Sequence, residues 1–130
     1  MKRSEAGESR HFRLFLVIAE QWKLTKLEQR QLLNVRSAKV MNEFQRSDRH
    51  MPEEVWTRIN YCIDIYAELH QSIFPRDHAR ANEWIRRKNT APFLRIYNRT
   101  TALEAMLTGD LRDLRDVRNY LMNQSQSLYY

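Results

Sequence analysis

Two glycines and three prolines in 130 residues decide most of what this chain can fold into. Antiparallel sheets reverse direction through tight turns built on positive φ or a fixed proline ring. A sandwich or barrel needs such residues at intervals of about ten positions. They are absent here, while Leu, Arg, Glu, Ala, Gln and Met, the strong helix formers, dominate. The expectation is an all-α protein. A hydrophobic fraction of 42% suffices for a core and argues against global disorder.

Apolar spacing places the helices. Residues 1–9 are polar and read as a mobile tail. Phe12, Phe15, Leu16, Ala19 and Trp22 recur at helical spacing from Arg10 onward. Thr25 and Glu28 form a capping-box pair before a second helix, with Leu27, Leu32 and Leu33 expected inside. Asn34 stands where that helix ends and tolerates the left-handed conformation. Ser37 is placed to cap a third helix with Val40, Met41 and Phe44 inward. Ser47 to Met51 reads as a polar linker. Pro52, Glu53 and Glu54 then open a long helix in which Val55, Ile59, Cys62, Ile63, Tyr66, Leu69 and Ile73 share a stripe, ended by Phe74-Pro75. Asp77 caps a fifth helix with Ala81, Trp84 and Ile85 inward. Residues 89–98 are irregular. Thr101 with Glu104 opens a short helix that ends at Gly109. Asp110 caps a last one carrying Leu111, Leu114, Val117, Tyr120 and Leu121, and residues 124–130 read as a second tail.

Charge is unevenly spread. Residues 1–51 hold eleven Lys/Arg against six Asp/Glu, whereas the remainder is close to balanced. A basic front suits a polyanionic partner. The two short helices joined at Asn34 read as a helix-turn-helix. Arg36, Ser37, Lys39, Asn42, Gln45 and Arg46 are its candidate DNA-binding residues, because Arg and Lys reach phosphate or guanine while Asn and Gln pair with adenine. A helical hairpin with a solvated polar face is the plainer alternative.

Nothing points to catalysis. His11, His50, His70 and His78 show no HExxH spacing, and no glycine-rich phosphate loop is present. His70 and His78 straddle Phe74-Pro75 and are the pair placed to meet. Cys62, the single cysteine, lies on the buried stripe, so neither a disulfide nor a four-cysteine metal site is expected. No cofactor is expected. The longest apolar run, Leu14 to Ala19, is too short to span a bilayer and lacks a cleavage site, which makes the cytoplasm the expected location and a membrane no partner.

The stretches "ANEWIRRKNTAPF" and "ALEAMLTGDLRDLRDVRNYL", preceded by the Phe74-Pro75 step, are similar to the toxin-binding domain of the MbcA/ParS/Xre antitoxins. The matching positions are Ala81, Trp84, Asn89, Pro92, Ala102, Leu103, Met106, Leu107, Gly109, Val117, Arg118, Tyr120 and Leu121. "LTKLEQRQLLNV" resembles the helix-turn-helix that these antitoxins carry in front. The likeness spans roughly residues 24–122. It departs in two places: "FLRIYNR" replaces the family's glycine-rich step, and Asn34 replaces the turn glycine. The resemblance implies a helix-turn-helix-like DNA-binding region over 10–50 and a helical toxin-binding domain over 51–123. It implies an antitoxin that blocks a RES-domain, NAD-consuming toxin, dimerises, and represses its own operon at operator DNA. Arg86, Arg87, Asn89, Tyr129 and Tyr130 are the toxin-contact candidates, since Arg and Tyr most often carry interface energy. Trp84 is expected in the core. A stand-alone regulator whose C-terminal half only dimerises is the alternative reading.

Overall fold

The computed structural model describes residues 3–127, and among them every regular element is helical, with one isolated bridge between Lys88 and Thr101. The elements are α1 (Glu5–Gln21), α2 (Lys26–Leu33), α3 (Ala38–Gln45), α4 (Glu53–Glu68), α5 (His78–Glu83), α6 (Pro92–Arg95), α7 (Ala102–Met106) and α8 (Leu111–Ser127). A π-helical turn, Leu69–Ile73, extends α4, and a 3-10 turn, Trp84–Arg86, extends α5. No helix among the described residues is long and apolar enough to cross a membrane.

Local caps set most boundaries. Ser4 Oγ accepts from Gly7 N–H at 3.0 Å, so α1 begins within the stretch expected to be a mobile tail. The reason lies beyond local sequence: Glu8 is buried, its Oε1 accepts from Met51 N–H at 3.1 Å, and its Oε2 meets Arg3 Nε and His50 Nδ1, each at 3.2 Å. That cluster also draws in the expected polar linker, and Met51 is 1% exposed. Thr25 and Glu28 complete their reciprocal capping box. Thr101 caps α7, but Glu104 reaches back to Thr100 instead of Thr101 N–H. Asp110 accepts from Arg112 N–H at 2.9 Å and opens α8. That helix continues through Ser127, past the expected tail boundary, with Ser125 buried.

The core is one cluster running through both halves of the chain. α4 makes the most extensive packing in it, against both α1 and α8. Leu27, expected inside, is 55% exposed. It precedes Leu33 by six residues, which rotates it about 120° from that buried position. Trp84 is half-buried and lies near-parallel to Tyr120, with ring centroids 6.4 Å apart. Cys62 is buried, and burial pushes its thiol far above the ordinary value, leaving an inert apolar filler.

Candidate DNA and partner interfaces

Asn34 has φ 55° and ψ 44°, the left-handed conformation expected at the turn. Its short polar side chain tolerates this state, and Val35 N–H returns to Arg30 O at 2.8 Å, closing the end of α2. Arg30 Nη1 donates to Arg36 O at 2.9 Å and braces the turn from outside. Ser37 Oγ accepts from Lys39 N–H and Val40 N–H, so this candidate contact residue is the cap that starts α3.

Met41 and Phe44 anchor α3 in the core. Lys39, Asn42 and Arg46 stand at i, i+3 and i+7 on the opposite side, all exposed, and form one face. Gln45 is rotated off that face. With Phe12, Leu16, Met41 and Asn42 it lines a groove of about 260 Å³ between α1, α2 and α3, rimmed by Lys26 and Arg30. Arg36 is exposed at the turn. The nearby acid Glu43 is engaged: the Arg49 guanidinium at 2.8 Å holds its carboxyl below the ordinary range. Arg10, Arg13, Lys23, Lys26, Arg36 and Lys39 are exposed and form no ion pair among the described residues. In α8, by contrast, Arg112, Arg115 and Arg118 each face an aspartate.

The toxin-contact candidates fare differently. Arg86 is turned inward on the chain: its Nε donates to Trp22 O at 3.2 Å, and its Nη2 donates to Lys23 O at 2.8 Å and to Glu28 Oε1 at 3.2 Å. It caps the C-terminus of α1, where free carbonyls favour a cation. Burial pushes the Glu28 carboxyl up, but the Thr25 amide and Arg86 pull it down further, so it stays below its ordinary value. Asn89 is occupied in part: its Oδ1 accepts from Ala91 N–H at 3.0 Å and its backbone N–H donates to Thr100 O at 2.9 Å, while its Nδ2 is buried without a partner among the described residues. Arg87 is exposed without an ion pair among the described residues. Tyr129 and Tyr130 lie outside the described residues.

Of two further features, the sequence reading reached the first, the approach of His70 and His78, and passed over the second. His70 Nδ1 and His78 Nδ1 are 2.7 Å apart, His70 Nε2 is 2.7 Å from Asn82 Oδ1, and Asn82 Nδ2 donates to Gln21 Oε1 at 3.0 Å. Asn82 Oδ1 is an acceptor, so His70 Nε2 is the donor to it, and the Nδ1–Nδ1 contact pairs one protonated nitrogen with one bare one. The chain of bonds ties α5 to the π-helical turn and to α1. The second feature is the pair Ile96 and Tyr97 after α6, exposed at 73% and 61%. Its sequence signal was available: residues 84–103 hold five Lys/Arg and no Asp/Glu, which averaging over the whole half conceals.

No family model matches this chain, and no solved structure matches it. It is similar to a protein of Sinorhizobium fredii (strain NBRC 101917 / NGR234) described as uncharacterized protein y4oB, with 28% identity over 107 residues, 82% of this chain and 78% of that protein.

Proposed function

We propose that this protein is an antitoxin that binds and blocks a RES-domain, NAD-consuming toxin through its second half, and that it binds operator DNA through α2 and α3. One observation carries the DNA part: Lys39, Asn42 and Arg46 form one exposed face on α3, beside further exposed bases of the first half, Arg10, Arg13, Lys23, Lys26 and Arg36, that form no ion pair among the described residues, while Arg46 makes an exposed pair with Asp48 at 3.5 Å. Cations without intramolecular partners are those available to phosphate. The antitoxin part rests on the motif resemblance. Its matched residues hold architectural positions: Ala81, Ala102, Leu103, Met106, Val117 and Leu121 are buried, and Gly109 has φ 85°. Such positions support a shared fold, while the contacts themselves lie on exposed residues.

A repressor of this kind works as a dimer, because two recognition helices meet two half-sites. The exposed side of α1 offers a seam for it. Leu14 and Val17 are 44% and 54% exposed, with Arg10 and Arg13 toward one end and Glu20 toward the other. Two such helices pairing antiparallel about a two-fold axis set each copy's bases near the other's acid. The stand-alone regulator is the second reading, favoured by the internal use of Arg86 and Asn89.

The deciding experiment is growth rescue. The neighbouring open reading frame is induced with and without this protein, and growth and cellular NAD are followed. Arrest with NAD loss that this protein prevents supports the antitoxin. A harmless neighbour, or arrest it does not relieve, leaves the regulator.

A further inference from the structure

Residues 89–100 form a loop closed at its neck. Lys88 and Thr101 make an antiparallel bridge, and Asn89 N–H donates to Thr100 O at 2.9 Å. Within the loop Ala91 and Leu94 are buried, and Phe93 meets Tyr120 of α8 edge-on, with centroids 5.3 Å apart. The tip is equally fixed: Asn98 is left-handed with φ 56°, and Arg99 N–H returns to Leu94 O at 2.8 Å. Compact loops held by their own buried side chains are frequent carriers of function. Here the tip presents Ile96 and Tyr97, the two most exposed large apolar side chains among the described residues. The Arg99 guanidinium lies 4.7 Å from the Tyr97 ring centroid. Arg95 is exposed and forms no ion pair among the described residues.

A rigid tip displays these side chains without a further ordering cost on binding. Tyrosine and arginine around an aliphatic residue are the composition of a protein-binding hot spot. Nucleic acid would engage the bases but gain little from Ile96, which has no polar atom and no flat ring for stacking. Arg99 and Arg112 are partly neutralised by Asp113 and Asp110, so the positive potential comes mainly from Arg95 with Arg87 and Lys88 of the same segment.

We propose that Ile96 and Tyr97, flanked by Arg95 and Arg99, are a preformed knob for a protein partner bearing an apolar recess in an acidic surface. The proposal rests on the antitoxin reading, in which that partner is the toxin. The probe is the purified product of the neighbouring toxin gene, titrated against the full-length chain. Ile96→Ser with Tyr97→Ser is expected to weaken binding at least about tenfold, leaving thermal unfolding and operator binding unchanged. Arg95→Glu, at an exposed position, is expected to weaken it as well and to flatten its salt dependence. Undiminished toxin binding by both variants overturns the knob and leaves the antitoxin standing. Lost operator affinity with intact toxin binding also overturns it, reassigning the tip to nucleic acid. No toxin binding by the wild-type chain removes the antitoxin reading and the knob together.

Discussion

The guanidinium of Arg58 on α4 donates to the main-chain oxygen of Gly109, 51 positions further along the chain. It also donates to Leu32 O at 3.5 Å and to Glu54 Oε1 at 2.9 Å, and its side chain is 1% exposed. One buried side chain therefore joins the last turn of α2, the first half of α4 and the turn before α8. Glu54 is half-exposed, so water screens that pair and the carbonyl contacts matter more. Arg58→Ala is expected to cost roughly 2–4 kcal/mol in urea unfolding, through a cavity and two carbonyls stripped of a donor. Arg58→Lys is expected to recover only part, because an ammonium lacks the planar fork. The wild-type transition is expected to be single, because the core is continuous.

DNA binding gives a second test. Lys39→Ala and Arg46→Ala are each expected to weaken operator binding and to lower the slope of log affinity against log salt by about one. Asn42→Ala is expected to act on sequence preference more than on salt dependence. Electrophoretic mobility shifts at several salt concentrations separate the effects. Lack of binding at low salt by the wild-type chain removes the DNA part of the proposed function.

Arg86 and Arg87 are neighbours with different employment. Arg86→Ala is expected to cost about 1–2 kcal/mol in thermal unfolding, because it strips the cap from α1. Arg87→Ala is expected to leave stability unchanged and to act only on a partner. Equal stability losses in the two variants would contradict the capping role.

His11 contributes to the acid side of stability. Its ring stacks on Trp56 at 3.7 Å between centroids. Burial pushes its pKa down, a Trp56 main-chain contact pulls it up, and Arg3 pushes it down again, leaving it below 6.5. The unfolded state therefore takes up a proton that the folded state resists. This contribution is present above pH 6.5 and is lost as pH falls below it. Unfolding midpoints measured from pH 7 downward are expected to show that decline, and His11→Phe, which keeps the stacking, is expected to flatten it. Glu28 and Glu43 add losses only as pH falls below their ordinary value of 4.5.

The α1 seam is open to a charge swap. Val17→Asp is expected to shift the protein to monomer in sedimentation equilibrium. Arg13→Glu is expected to weaken the dimer, and adding Glu20→Lys to restore it. A mass unchanged by all three variants rules out this seam.

What could be read from sequence was what neighbours in sequence decide. The box of Thr25 and Glu28, the left-handed Asn34 and the caps at Ser37, Asp77 and Asp110 each depend on groups a few residues apart. The inward stripes followed from helical period, and so did the common face of Lys39, Asn42 and Arg46. The misses are long-range. Glu8 is buried because Met51 lies 43 positions away, and Arg86 is engaged because the end of α1 lies 63 positions before it. Leu27 is apolar but out of helical phase with Leu32 and Leu33, so it faces solvent. The loop neck was invisible because bridging Lys88 to Thr101 uses backbone groups that every residue carries.

That neck has a bearing on how such a chain changes over generations. Its closure depends on main-chain bonds and on Asn89, while the buried anchors are Ala91 and Leu94. Ile96 and Tyr97 contribute almost nothing to either. Substitutions at the tip therefore leave the scaffold intact, and the identity of whatever the tip grips is free to drift while the fold stays under constant selection.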